Sequence, residues 1–303
     1  MLLTINEDSS NIIIKVQGND SDPGGFDMTT TIVIGPSSGG TVTVSNGDSL
    51  IYTPKANFNG IDTIVYKVCN SLGACTVDTV YITVNAVNDE PGKGNESWTV
   101  TEDTSSAVSM NLTSNNIDPD STTTKVKNIL SSTGGGAITI NADSLGITYT
   151  PTNNFSGIDT VIYAVCDSGA PLPIKCVIDT LFITVIAVND EPTKGNETMT
   201  VSEDAASTTS SSLIANNSDP EGTTLKVTTI VNSSGGGTIS ITRSGSIIDY
   251  KPALNFNGID TVIYTVCDSG LPLPAKCVND TLFVMVNAVN DEPGKGNESW
   301  TVT

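Results

Sequence analysis

One feature restricts this chain more than any other: it repeats itself about every 100 residues. Asn88-Asp89-Glu90-Pro91 returns as Asn189-Asp190-Glu191-Pro192 and again as Asn290-Asp291-Glu292-Pro293, 101 residues apart each time. Asn57-Phe58-Asn59-Gly60-Ile61-Asp62-Thr63 returns at Asn154 to Thr160 and at Asn255 to Thr261. Each copy runs into a Tyr-x-Val-Cys, ending at Cys69, Cys166 and Cys267. The chain therefore reads as three units, 1–86, 87–187 and 188–288, followed by 289–303 as the first strand of a fourth. Val84 to Thr101 and Val286 to Thr303 are identical over 18 residues. Copies this faithful point to a longer array, of which the chain is expected to be a piece.

Within a unit the apolar residues alternate with period two, not 3.6. In the second unit this predicts strands at Trp98 to Val100, Ala107 to Leu112, Lys125 to Leu130 and Ala137 to Ile140. Three more follow at Ile147 to Thr150, Ile158 to Cys166 and Cys176 to Ala187. Turn clusters such as Gly134-Gly135-Gly136 and Asp118-Pro119-Asp120 separate them. Seven short strands in about 100 residues predict an all-β chain of tandem seven-stranded Greek-key sandwiches, each with its own core.

The six cysteines fall two per unit and bracket the turn before the last strand: Cys69 with Cys75, Cys166 with Cys176, Cys267 with Cys277. Disulfides would place the chain in an oxidising, extracellular setting; buried free thiols are the alternative. Two thiolates per unit and no histidine are too few for a zinc site. The missing histidine also removes the usual general base of Ser-His-Asp and Cys-His catalysis. With 33 acidic against 13 basic side chains, the net charge of −20 argues against nucleic acid and anionic membranes as partners. No apolar run is long enough to span a bilayer.

The acids concentrate at predicted strand ends. Glu102-Asp103 and Asp159 should meet at the lower pole of the second unit, near Asn189-Asp190-Glu191. Asp219, Glu221 and Asp268 should approach the same linker from the third unit. Calcium accepts six to eight oxygens in irregular geometry, whereas magnesium demands a stricter octahedron. A solvated acidic rim that maintains solubility is the competing reading. Paired carboxylates can also serve glycoside hydrolysis, but acids that recur at the turns of every unit do not suit a single active site, so the chain is not expected to be an enzyme.

Taken together, Ala-Val-Asn-Asp-Glu-Pro, Thr-Glu-Asp-Thr, Asp-Pro-Asp, Asn-Phe-x-Gly-Ile-Asp-Thr and Tyr-x-Val-Cys-Asp resemble the tandem cadherin-like or Ig-like repeats of large bacterial surface proteins. The cysteine-bearing form is similar to repeats of Bacteroidota adhesins. The resemblance spans the whole chain and implies calcium between successive repeats. At the first junction it implies Glu7, Asp62, Asn88, Asp89 and Glu90 from below, with Asp118, Asp120 and Asp167 from above. At the second it implies Glu102, Asp159, Asn189, Asp190 and Glu191, with Asp219, Glu221 and Asp268. At the third it implies Glu203 and Asp260 with Asn290, Asp291 and Glu292. The first unit departs from the pattern, with Gly24 in place of Asp120 or Glu221 and Asn70 in place of Asp167 or Asp268.

Trp98 and Trp300 align with Met199 and Leu3, which marks a core position rather than a sugar platform. Asn95-Glu96-Ser97, Asn196-Glu197-Thr198 and Asn297-Glu298-Ser299 match the N-glycosylation pattern. Asp-Thr-aliphatic, at Thr63, Thr79, Thr160, Thr180, Thr261 and Thr281, resembles an O-glycosylation pattern of Bacteroidota, but plain strand sequence is the favoured reading. The expected function is a calcium-stiffened extracellular spacer in a long surface adhesin, its partners being the neighbouring repeats. Two alternatives are a filament subunit that pairs with other copies by strand addition and a glycan-binding module.

Overall fold

The computed structural model describes residues 2–242, 244–292 and 300–301. The expected first strand of a fourth repeat and the motif Asn297-Glu298-Ser299 lie largely outside them. Trp300 is described and is exposed.

Among the described residues all regular structure is β. The first repeat holds β1 (Leu2–Asn6), β2 (Ile12–Lys15), β3 (Met28–Ile34), β4 (Thr41–Ser45), β5 (Ser49–Thr53), β6 (Gly60–Asn70) and β7 (Cys75–Asn85). The second holds β8 (Asn95–Thr101), β9 (Ala107–Val108), β10 (Lys125–Ser132), β11 (Ala137–Ile140), β12 (Ile147–Thr150), β13 (Gly157–Cys166) and β14 (Cys176–Ile186). The third holds β15 (Asn196–Ser202), β16 (Thr208–Thr209), β17 (Lys226–Ser233), β18 (Thr238–Ile241), β19 (Ile248–Lys251), β20 (Gly258–Cys267) and β21 (Cys277–Asn287). Each repeat pairs a four-stranded sheet with a three-stranded one; in the first these are β1-β7-β6-β3 and β2-β5-β4.

By compactness the chain divides into two units. One comprises Met1–Trp98, Ser106–Thr150 and Ile158–Ile183; the other comprises Thr99–Ser105, Pro151–Gly157 and Thr184–Thr303.

The sheets are not purely antiparallel. β1 runs parallel to β7, with Leu2 opposite Tyr81, and β15 parallel to β21, with Asn196 opposite Thr281. First and last strands that run the same way bring the chain in at one pole of a repeat and out at the other. The predicted strand from Ala107 to Leu112 shrinks to the two residues of β9. Beyond it, Ser109 Oγ bonds to the Met110 carbonyl and Asn111 Oδ1 accepts from Thr113 N–H, so side chains take over the backbone and turn it.

The cores follow the alternation. In the first repeat Ile14, Leu50, Tyr52, Ile64, Tyr66, Val80 and Ile82 are buried together, with Leu3 packed against them. In the third, Leu213, Ile248, Tyr250, Val262, Tyr264, Leu282 and Val284 form the same layer, with Met199 against it. Trp98 meets Tyr149 edge to face, ring centroids 6.3 Å apart. Cys69–Cys75, Cys166–Cys176 and Cys267–Cys277 are disulfides, and the first and third join register partners of a hairpin.

Candidate metal centres

The first junction is assembled from three segments. Glu7 extends β1 by one residue, its N–H bonding to the Asn85 carbonyl just past the ladder, and Oε1 accepts from Val87 N–H at 2.5 Å. These bonds place the carboxyl of Glu7 at the end of the repeat. The linker follows, and Asp89 N–H donates to Asp120 Oδ2 at 2.7 Å. Asp120 sits in the turn opened by Asp118, whose carbonyl accepts from Ser121 N–H and whose Oδ1 accepts from Thr122 N–H. That turn needs a left-handed residue, Ser121 with φ 60° here and Gly222 with φ 70° in the next repeat. The result is one oxygen each from Glu7, Asp89 and Asp120 within 4.8 Å of one another.

The second junction repeats this construction. Glu102 N–H bonds to the Ile186 carbonyl and its Oε1 accepts from Val188 N–H. Asp190 N–H donates to Glu221 Oε2 at 2.8 Å, and Asp219 Oδ1 accepts from Thr223 N–H. Oxygens of Glu102, Asp190 and Glu221 again lie within 4.8 Å of one another.

Several acceptors in both places have no partner although they are buried: Oε2 of Glu7, Oδ1 of Asn88 and Oδ2 of Asp89 and Asp118, then Oδ1 of Asn189 and Oδ2 of Asp190 and Asp219. Burying a polar atom unpaired costs about 1–3 kcal/mol. The carboxyls also disfavour one another. Burial first, then Asp120, Asp8 and Asp89, lifts Glu7 above its ordinary pKa despite the bond from Val87. Burial, then Asp8, Asp120 and Asp118, lifts Asp89, with Lys175 opposing. Burial, then Asp190, Asp219 and Glu102, lifts Glu221 against the bond from Asp190 N–H.

The other expected ligands stand elsewhere. Asp62, Asp159 and Asp260 occupy inward positions of β6, β13 and β20 and are fully buried. Asp62 accepts from the Ser37 and Ser38 hydroxyls, Ser38 N–H, Thr63 N–H and, at 2.6 Å, the Tyr52 hydroxyl. Asp159 does the same with Ser132, Thr133 N–H, Gly134 N–H and Tyr149. Asp260 does so with Ser233, Gly235 N–H and Tyr250. Burial alone would raise these three; the bonds from Ser38, Tyr52 and Ser37 and their counterparts outweigh it and hold them below the usual aspartate value. They tie the two sheets together, and their lone pairs face donors instead of the junction. Asp167 and Asp268 are likewise engaged through both oxygens by three N–H groups each, among them the Asn88 and Asn189 amides.

Glu90 and Glu191 are exposed and outside both clusters. At the third linker Glu203 repeats the base geometry, with Oε1 accepting from Val289 N–H at 2.6 Å, while Asn290, Asp291 and Glu292 are exposed. The upper pole of the first repeat is closed on itself. Asp22 Oδ2 accepts from the Asn70 amide at 2.9 Å, and Asn70 Oδ1 accepts from Leu72 and Ala74 N–H.

A second buried acidic group went unforeseen. Tyr163 and Tyr264 donate to Glu96 and Glu197, and nearby Asp179 and Asp280 accept from Asn116 and Asn217. Burial is the main force raising Glu96 and Glu197, with Asp179 and Asp280 adding to it. Its sequence signal is an acid recurring at an inward strand position, which the glycosylation-like motif obscured.

Residues 2–83 and 189–275 match the family model for a bacterial Ig domain, together more than half of the chain, and residues 88–177 match that for a bacterial cadherin-like domain. Mouse cadherin-23 repeats EC22-24 superpose with a TM-score of 0.60 at 14% identity, covering 95% of this chain and 96% of that one. Mouse protocadherin-24 EC1-3 gives 0.56 at 15% identity, covering 95% and 96%. At these identities the likeness is one of fold. No curated protein sequence matches the chain.

Proposed function

From a chain that belongs to the bacterial Ig-domain family, with a bacterial cadherin-like copy in its middle, we propose an extracellular spacer in an adhesin-like array whose joints are stiffened by calcium. One observation carries this reading: carboxylates from the end of one repeat, the linker and the start of the next converge, and the oxygens left over are buried without donors. A solvated acidic rim would expose those groups, yet Glu7, Asn88 and Asp118 are 3%, 2% and 5% exposed.

The donor set fits the ion. It consists of oxygen only, as hard cations require. Glu7, Asn88, Asp89, Asp118 and Asp120 would hold it at the first junction; Glu102, Asn189, Asp190, Asp219 and Glu221 would hold it at the second. A bound ion supplies positive charge where three carboxylates crowd. Two unit charges 4.8 Å apart repel by about 1 kcal/mol in water and about 3 kcal/mol at an effective dielectric near 20. Neutralised, the residues of three segments become one cross-link; without the cation their repulsion loosens the joint. The disulfides and the family support an extracellular setting.

Small-angle scattering tests the mechanical part. Calcium should narrow the distribution of end-to-end distances, and a chelator should broaden it. Superimposable profiles in the two conditions would contradict the stiffening role.

A further inference from the structure

We infer that Asp167 and Asp268 are not ligands of the proposed ions but clamps that turn the amides of Asn88 and Asn189 so that each presents its oxygen. The inference rests on the calcium reading above and assigns a different part to two of its residues.

Asp167 is already engaged through both oxygens by three N–H groups. Its Oδ1 accepts from Gly169 N–H at 2.7 Å and Lys175 N–H at 3.1 Å; its Oδ2 accepts from the Asn88 amide at 2.7 Å and again from Lys175 N–H at 3.1 Å. Three hydrogens, that of Lys175 shared between both oxygens, thus take up most of the roughly four positions a carboxylate offers. Asp268 is filled the same way by Gly270, Lys276 and the Asn189 amide at 2.9 Å. The loop that brings these N–H groups round is tight. Gly169 and Gly270 have φ of 66°, and a Cβ on either would stand 2.7 Å from Ile174 or 2.5 Å from Ala275.

The amide orientation follows from its neighbours. Asn88 Nδ2 faces two acceptors, Asp167 Oδ2 and the Pro173 carbonyl at 2.8 Å, and has two hydrogens to give them. The reversed amide would set an oxygen against two oxygens. Oδ1 is therefore fixed on the far side, and it is the buried acceptor without a donor. Asn189 repeats every element, with the Pro274 carbonyl at 3.0 Å. The first repeat has Asn70 where the clamp would be, and there the amide bonds to Asp22 instead.

The clamp and ligand roles predict opposite signs for one substitution. Asn88→Asp with Asn189→Asp sets a carboxylate against the Asp167 and Asp268 oxygens. If these are clamps, calcium affinity measured by titration calorimetry falls about tenfold or more, the usual loss when an outer partner is disturbed. If they are ligands, the added negative charge tightens binding. Asp167→Asn with Asp268→Asn should weaken binding similarly. Combining all four substitutions should not restore affinity, because the carboxylate introduced at position 88 would still face the Pro173 carbonyl, and the amide introduced at position 167 would set an N–H against that of Lys175. Circular dichroism melts without calcium confirm that each variant is folded. Tighter binding by the paired Asn→Asp variant refutes the clamp and leaves the calcium reading standing, whereas absence of binding by the parent overturns both.

Discussion

Replacing Asp62 by asparagine separates the structural carboxylates from the candidate ligands. Asp62 Oδ2 accepts from the Ser38 and Tyr52 hydroxyls, both at 2.6 Å, and Oδ1 accepts from Ser37, Ser38 N–H and Thr63 N–H. Asparagine keeps one oxygen but puts two N–H donors where Oδ2 stood and removes the charge. Each hydrogen bond to a charged group contributes about 1.5–3 kcal/mol, so losing the two at Oδ2 should destabilise the first repeat by about 3–6 kcal/mol. For a domain near 85 residues, about 1 kcal/mol moves the midpoint by roughly 4–8 °C, so the first repeat should melt about 12 °C or more earlier. Differential scanning calorimetry, with and without calcium, reads the drop. It should be the same in both conditions, and calcium affinity measured at a temperature where the variant is folded should be unchanged within about twofold. A loss below about 1 kcal/mol would refute the anchoring argument. A tenfold fall in affinity would return Asp62 to the ligands.

Other outcomes follow from the same structure. Asp62, Asp159 and Asp260 have lowered pKa values in the fold, so their stabilisation is full above the unfolded aspartate value and is lost as pH falls through the folded values; Asp→Asn variants should flatten the acid limb of urea midpoints against pH. Glu96 and Glu197 are raised, so their contribution is full below the unfolded glutamate value and is lost as pH rises through the folded one; Glu197→Gln should remove that decline in the third repeat, and an unchanged pH profile would contradict the assignment. Removing the Cys166–Cys176 bridge with paired alanines should cost the second repeat about 2–3 kcal/mol in denaturant unfolding. Asp22→Ala should leave the number of bound calcium ions unchanged, because the Asn70 amide and backbone N–H groups already occupy that carboxylate.

The period of 101 residues and the two-residue alternation carried the fold, since both depend only on residue order. The cysteine pairs were legible for the same reason, each bracketing one turn of its repeat. Parallel pairing of β1 with β7 was not, because alternation marks a buried face but not the direction of its neighbour. At the junctions, acids following a strand or opening a turn, such as Glu7 and Asp120, do come together. Asp62 misled by its neighbourhood: beside Gly60 and Ile61 it reads as a strand end, yet counting inward from Ile64 places it on the buried face. Its Ser and Tyr donors lie 10 to 25 residues away, beyond any local pattern. Asp167 shows the same limit, since only the folded loop reveals that its lone pairs are taken.

The central claim is that buried oxygens of two successive repeats and their linker share a divalent ion. The direct measurement is the metal content of the chelator-stripped chain after equilibration with calcium, together with melting curves in both states. The account predicts retained calcium that is lost when Glu7→Gln and Glu102→Gln are combined, and a higher midpoint with the ion than without it. A chain that retains no calcium and melts identically in both states would contradict it.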